Sequence, residues 1–243
     1  MNIIIDRLRK EYKDVVAVDD ISLEIKSGEL FSLLGLNGAG KTTLIKMLTT
    51  LTMPTSGNAY IGGYSILNNN EKIKEIIDIS MQETAVARNL TVEENFDFYG
   101  LLNGISKDEL KLEKEYLYKI LNLETIKNKI VSNLSGGYQR KVSIGLALIK
   151  KPKVLFLDEP TLGLDVISRR ELWKAIKLLK GKMTIILTTH YMEEAEELSG
   201  RIGIIKDGKM LFIGDKSTLF NSTNESTVEN AFVRIVTGGI FNE

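Results

Sequence analysis

The chain has 243 residues, of which 43% are hydrophobic and 26% are charged, a mixture typical of globular proteins. Its 32 basic residues balance 32 acidic ones, which argues against a general electrostatic grip on nucleic acid or anionic lipid. With no cysteine and one histidine, composition excludes disulfides, thiol chemistry and sites that need two imidazoles. No apolar run approaches about 18 residues and the N-terminus lacks a signal-peptide pattern, so we expect a cytosolic protein.

Strand-like and helix-like segments alternate along the chain, which predicts an α/β fold with a largely parallel sheet. Alternating apolar and polar residues over 21–25 indicate a half-buried antiparallel strand. Short apolar runs predict buried strands at four places: 30–34, 76–79, 154–157 and 184–187. A helix is expected over 42–51. A hairpin is expected near the end of the sheet, with strands at 202–205 and 210–213 joined around Asp207-Gly208.

The composition changes between 91 and 130, where Glu, Lys, Leu and Tyr are frequent, proline is absent and the apolar spacing is helical. This stretch predicts a mainly helical insert in the sheet core. From residue 216 onward we expect one or two helices around a loop rich in Asn, Ser and Thr. The sequence therefore predicts one domain, divided into a sheet core with a β subdomain at 1–83 and 152–215, a helical subdomain at 84–151 and a helical tail at 216–243.

The strongest signal is Gly35-Leu36-Asn37-Gly38-Ala39-Gly40-Lys41-Thr42, a full match to the phosphate-loop pattern G-x-x-x-x-G-K-[ST]. The glycines let backbone N–H groups curl around phosphate oxygens, and the helix that follows adds its positive N-terminal dipole. Lys41 can reach the outer phosphates, and the Thr42 hydroxyl can bind Mg²⁺. Nucleotide binding is favoured over a glycine-rich turn that only caps a helix. The residues expected to contact the nucleotide are Asn37, Gly38, Ala39, Gly40, Lys41, Thr42 and Thr43.

The apolar run at 154–157 ends in two acids, Asp158 and Glu159. A core strand there would bring Asp158 to the carboxyl edge of the sheet, where nucleotides bind in open α/β folds. Asp158 can hold Mg²⁺, directly or through water, and Glu159 can act as the general base on an attacking water. Acids often end buried strands without such a role. Together with the phosphate loop, however, the pair favours a nucleotide hydrolase over a simple binder.

A second helix N-terminus, with a helix predicted over about 138–149, follows two more glycines. Ser135 is expected to be its N-cap, and Gly136 and Gly137 expose backbone N–H groups at its start, which makes a second anion site. Ordinary helix capping is the alternative that local evidence leaves open.

The segment 134–139 resembles the signature motif of ATP-binding cassette (ABC) proteins, and it lies just upstream of the acid-ended strand, as in that family. Tyr138 departs from the glutamine often found at the fifth signature position. Four further positions are similar to family motifs in the same order along the chain: Tyr12 to the aromatic that stacks on adenine, Gln82 to the Q-loop glutamine, Leu164-Asp165 to the D-loop and His190 to the switch histidine. Taken singly, Tyr12 could be a surface aromatic, Gln82 a polar loop residue and His190 a strand-end histidine. The resemblance covers about 2–238.

The resemblance implies a P-loop NTPase with a RecA-like, mainly parallel sheet core, an antiparallel β subdomain and a helical subdomain. It implies ATP and Mg²⁺ as ligands, with Mg²⁺ near Thr42, Gln82 and Asp158. Glu159, His190 and Gln82 would serve catalysis. In the family two such domains dimerise head to tail, so Ser135, Gly136 and Gly137 would contact the ATP held by the partner's phosphate loop.

The family also implies partners. These are integral membrane permease subunits, since no span is visible in the chain, and a second ATP-binding subunit, either another copy or a paralogue. No nucleic acid is expected, and the location would be cytoplasmic, peripheral on the inner face of the cell membrane. The segments 90–95, 98–100 and 228–238 resemble the drug- and antibiotic-export branch. The alternative is a non-transport ABC ATPase acting in translation, repair or chromosome organisation. Such proteins usually have a second cassette, coiled coils or zinc modules, and none of these is visible in the sequence. The signature and switch motifs argue against a third class, the P-loop kinases and GTPases.

Overall fold

Two β-sheets share one core in the computed structural model, which describes residues 1–238. The strands, in chain order, are β1 (Ile3–Tyr12), β2 (Val15–Ile25), β3 (Leu30–Leu34), β4 (Ser56–Ile61), β5 (Tyr64–Ser65), β6 (Ile77–Ser80), β7 (Val154–Asp158), β8 (Thr184–Thr189), β9 (Arg201–Lys206) and β10 (Lys209–Gly214). The helices are α1 (Lys41–Leu48), α2 (Asn70–Ile76), α3 (Val92–Leu102), α4 (Lys107–Leu121), α5 (Gly136–Leu148), α6 (Val166–Lys177), α7 (Met192–Leu198), α8 (Lys216–Thr223) and α9 (Val228–Thr237).

The larger sheet has the strand order β10-β9-β3-β8-β7-β6. Its strands from β9 to β6 run parallel, and only β10 pairs antiparallel, with β9. Every residue of β3, β7 and β8 is buried, as expected for parallel strands covered on both faces. The parallel arrangement brings the carboxyl ends of β3, β6, β7 and β8 to one edge of the sheet.

The smaller sheet is antiparallel, with the order β2-β1-β4-β5. In the second half of β2, Ile21, Leu23 and Ile25 are buried while the residues between them are exposed. This inward face shares a core with α1 and with one face of the parallel sheet. The other face of the parallel sheet is covered by α3, α4, α5 and α6.

Local capping signals set where the covering helices begin. Helix α3 starts with a capping box, in which Thr91 Oγ1 accepts the Glu94 N–H at 3.1 Å and the Glu94 carboxylate accepts the Thr91 N–H at 2.7 Å. The Asp165 carboxylate accepts the N–H groups of Ile167 and Ser168 at the start of α6. Helix α5 packs closely on α3 at Gly145, where a Cβ would lie 2.5 Å from the ring of Phe96.

The predicted α/β fold, with a mainly parallel sheet and a separate antiparallel one, is confirmed. The buried strands, the hairpin, the helices between 91 and 130 and the two tail helices are present with ends shifted by a few residues. The helix predicted over 42–51 ends at Leu48, since Thr50 adopts a left-handed conformation with φ of 61°. The part of the predicted tail at 239–243 lies outside the described residues. Among the helices of the described part, none is both long and apolar enough to span a bilayer.

Candidate functional site

The loops after β3, β6, β7 and β8 surround a cleft of about 370 Å³ at the carboxyl edge of the parallel sheet. This is the edge at which open α/β sheets bind ligands. The cleft wall contains ten of the residues predicted from the sequence: Asn37, Gly38, Ala39, Gly40, Lys41, Thr42, Thr43, Gln82, Glu159 and His190. The fold thus collects motifs that are up to about 150 positions apart in the sequence.

The phosphate loop is shaped by glycine conformations that other residues rarely adopt. Gly38 and Gly40 have φ of 81° and 104°. A Cβ on Gly40 would lie 2.2 Å from the carbonyl oxygen of Ala17, so the loop can pass β2 only with glycine at this position. Helix α1 begins directly after the loop, at Lys41, which directs the N–H groups of its first turn toward the cleft.

Lys41 and Glu159 form a buried ion pair inside the cleft. Lys41 Nζ lies 3.0 Å from Glu159 Oε1, and the two side chains are only 6% and 7% exposed. The ammonium also donates to the carbonyl oxygens of Gly35 at 2.7 Å and Leu36 at 3.2 Å. The other carboxylate oxygen of Glu159 lies 2.7 Å from His190 Nδ1. Glu159 therefore stands between a cation and an imidazole, with both of its oxygens occupied.

Thr42 and Asp158, the sequence neighbours of Lys41 and Glu159, also contact each other. Thr42 Oγ1 donates to Asp158 Oδ2 at 3.0 Å, and the aspartate is fully buried. Thr188 Oγ1 on β8 donates to Asp158 Oδ1 at 2.5 Å. Hydroxyl and carboxylate oxygens are ligands that Mg²⁺ prefers, so the donor chemistry of Thr42 and Asp158 fits that cation. The contact with Thr188 was missed in the sequence, where Thr188 is one more β-branched residue of a strand.

The predicted second anion site lies at the start of α5. Ser135 is at the N-cap position, as expected. Within the residues that the structure describes, however, its side chain makes no capping hydrogen bond to the first turn of α5. Ser135 and Gly136 are exposed, whereas Gly137 is buried. A Cβ on Gly137 would lie 2.6 Å from Ser168 Oγ on α6, so this glycine is also needed for packing against the helix that follows the Leu164-Asp165 turn.

Tyr12 lies at the end of β1, outside the wall of the cleft. Its side chain is 45% exposed, and Lys10 Nζ lies 4.8 Å from the centre of its ring. Ala17, on the neighbouring strand β2, does line the cleft. The structure therefore places Tyr12 on the sheet that borders the site, without bringing it into contact with the phosphate loop.

Arg140 is a functional candidate that was missed in the sequence. It lies on α5, is 4% exposed and donates hydrogen bonds to backbone carbonyls at the ends of both β6 and β7. The available signal was its spacing, because Arg140 falls three residues after the buried Gly137 and four before the buried Ile144, on the inward face of the helix.

A glycine-rich loop lies between a buried strand and a helix, and its Lys41 and Thr42 contact Glu159 and Asp158 at the end of β7. This arrangement defines a P-loop nucleotide-binding protein. The family model described as ABC transporter matches residues 18–162. The chain belongs to the ABC transporter family and contains its ATP-binding domain.

Two relatives and one solved structure illustrate this membership. The chain is 45% identical over 208 residues to the phospholipid-transporting ATPase ABCA3 of Homo sapiens, an alignment that covers 86% of this chain and 12% of ABCA3. It is 41% identical over 225 residues to the linearmycin resistance ATP-binding protein LnrL of Bacillus subtilis, covering 92% of this chain and 72% of LnrL. The dimeric structure of an ATP-binding cassette in a post-hydrolysis state, bound to ADP and Pi, is 26% identical, with a TM-score of 0.79 and coverage of 88% and 98%. The chain thus spans only about an eighth of the length of ABCA3.

Proposed function

We propose that the chain is the ATP-hydrolysing motor subunit of an ABC transporter. The observation that carries the proposal is the convergence of the phosphate loop, Gln82, Glu159 and His190 on one cleft at the carboxyl edge of the parallel sheet. Asp158 lies directly behind its wall, hydrogen-bonded to Thr42. Family membership supports ATP as the nucleotide. The division into a core, a helical subdomain and a helical tail, expected from the sequence, is part of the same proposal.

The phosphate loop would bind the triphosphate. Its backbone N–H groups and the first turn of α1 favour anionic oxygens, and Lys41 adds a full positive charge at the inner end of the cleft. Thr42 and Asp158 would hold Mg²⁺, with Gln82 lining the same cleft. When bound, the cation would neutralise charge on the phosphates.

Glu159 is the residue we assign as general base. Its carboxylate lines the cleft and is close enough to both Lys41 and His190 for hydrogen bonds. A carboxylate in this position can accept the proton of a water that attacks the terminal phosphate. His190 would orient Glu159 through Nδ1 and contact the terminal phosphate, and Gln82 would help to place the water.

The signature segment would complete the site of a second copy of this chain. The exposed Ser135 and Gly136 and the uncapped first turn of α5 form an anion-binding helix N-terminus within the same chain as the phosphate loop. A two-fold dimer gives each copy both halves of a site, and the relative of known structure is a dimer. Tyr12, exposed beside β2, would stack on the adenine.

The proposed partners are integral membrane permease subunits, with the chain acting on the cytoplasmic face of the membrane. The name of LnrL refers to resistance and that of ABCA3 to phospholipid transport. Resistance is compatible with movement of a compound out of the cytoplasm, and phospholipid transport with movement between leaflets, so we propose export as the direction.

Phosphate release from MgATP by the purified full chain tests the proposal. Wild type should release phosphate continuously, and Lys41→Ala should lose most ATP binding and nearly all turnover. Lys46→Ala is the matched control, because it removes a lysine from the same helix outside the cleft wall and should stay close to wild type. A wild-type chain without nucleotide-dependent phosphate release, or a Lys41→Ala variant with full turnover, would refute the proposed function.

A further inference from the structure

Arg140 is a buried cation that lies behind the cleft. Burial lowers the pKa of its guanidinium to about 10, against the opposing effect of the carboxylates of Asp158, Glu194 and Glu159. The group therefore still carries its charge at neutral pH. A charge withdrawn from water is costly unless it is well hydrogen-bonded, so its partners indicate what it stabilises.

Those partners are backbone carbonyls from two segments of the cleft. The guanidinium donates to four carbonyl oxygens in two pairs: Met81 and Gln82 (3.3 Å), then Asp158 (2.8 Å) and Pro160 (2.9 Å). The first pair lies where the chain leaves β6. The second pair flanks Glu159, so one side chain is bonded to the carbonyl oxygens of the residues before and after the proposed base.

Glu159 needs such support because its backbone is held in a disfavoured conformation. Its φ is 49°, in the left-handed region that residues other than glycine rarely occupy. Its own N–H donates to the carbonyl oxygen and to Oγ1 of Thr188, both at 3.1 Å. Thr188 thus holds the amide of Glu159 to β8, and Arg140 holds the neighbouring carbonyls to α5.

We propose that Arg140 is a positioning residue for ATP hydrolysis, which fixes the backbone of Glu159 relative to that of Gln82. The proposal rests on the ATPase function proposed above. A guanidinium is suited to the task because its five donors lie in one rigid plane, whereas a lysine ammonium cannot reach four carbonyls arranged in two pairs. A displacement of about 1 Å at a reacting group can lower a rate by roughly 100-fold, which sets the scale of the expected effect.

The test compares Arg140→Lys and Arg140→Gln with wild type in the full chain. For both variants we expect kcat to fall by about 10- to 100-fold per folded molecule, with KM and the dissociation constant of ATP within about threefold. Arg140→Gln removes the buried charge and supplies the same comparison if Arg140→Lys does not fold. Lys141→Gln is the matched control: Lys141 is also buried on α5, but it pairs with Glu171 on α6 at 2.6 Å. Lys141→Gln should lower the thermal stability of the chain and leave kcat unchanged.

A second comparison separates positioning from a general structural role. In a Glu159→Gln background, Arg140→Lys should change the residual kcat by a much smaller factor than in wild type, because the group it positions is already disabled. Equal factors in the two backgrounds would overturn the proposal, as would wild-type kcat in both Arg140 variants or an equal loss in Lys141→Gln. A wild-type chain without ATPase activity would instead refute the proposed function, so the two failures are distinguishable.

Discussion

Replacing Glu159 with glutamine removes the proposed base while keeping the shape of the cleft. The amide is isosteric with the carboxylate, and its oxygen can still accept a hydrogen bond from Lys41 or His190, which lie 3.0 and 2.7 Å from the two carboxylate oxygens. An amide cannot, however, accept a proton from water at neutral pH. A positioned general base contributes about 10²- to 10⁴-fold to a rate, which corresponds to roughly 3 to 5 kcal/mol.

ATP binding should survive the same substitution. Lys41 keeps its hydrogen bonds to the carbonyl oxygens of Gly35 and Leu36, so the phosphate loop retains its cation in place. The removal of a negative charge next to the site of the terminal phosphate favours an anionic ligand. We therefore expect Glu159→Gln to bind ATP at least as tightly as wild type, while kcat falls by about 10²-fold or more.

Steady-state phosphate release and calorimetric titration with ATP measure these two quantities. Glu171→Gln is the matched control, since Glu171 is also paired with a lysine, Lys141, but lies on α6 outside the cleft wall. Its kcat should match that of wild type. A Glu159→Gln variant whose kcat stays within about threefold of wild type would refute the assignment of the base.

Three further substitutions test other parts of the structure. Gly40→Ala should destabilise the phosphate loop by about 2 kcal/mol or more and abolish ATP binding, because its Cβ would overlap the Ala17 carbonyl oxygen; an unchanged Tm would contradict this. Burial raises the pKa of the Glu194 carboxyl above its usual value of 4.5. The protonated side chain therefore favours the folded state, and this contribution to stability is lost as the pH rises from 4.5 through the pKa of the folded protein. Glu194→Gln should therefore melt above wild type at pH 8 and not at pH 4, whereas parallel melting profiles would count against this reasoning. Tyr12→Ala should weaken ATP binding by about 10-fold and leave inorganic triphosphate binding unchanged; equal losses for both would exclude adenine stacking.

The parts of the site that could be predicted from the sequence are motifs whose residues are adjacent in the chain. The phosphate loop depends on glycine spacing within eight positions, and Asp158 and Glu159 directly end the run that forms β7. Local backbone requirements and strand burial are enough to produce both features. The structure then brings them together because β3 and β7 both run parallel to β8, which lies between them, so their carboxyl ends reach the same edge of the sheet.

Features that depend on irregular geometry or distant contacts could not be predicted. Strand β1 has an irregular register between Ile5 and Leu8, with Arg7 at φ of 44°, so its inward residues lose the strict alternation that marks a strand. Arg140 and Gln82 are 58 positions apart and meet only after the helices have packed on the sheet. No local pattern indicates such a contact.

The mass of the Glu159→Gln chain in solution, measured by light scattering with and without MgATP, tests the central claim most directly. The claim is that one ATP joins the phosphate loop of one copy to the signature segment of another, and that hydrolysis separates them. The account predicts a monomer without nucleotide, twice that mass with MgATP, and a monomer again when Lys41→Ala or Ser135→Glu is added. A chain that binds MgATP at saturation and keeps the mass of a monomer would contradict it.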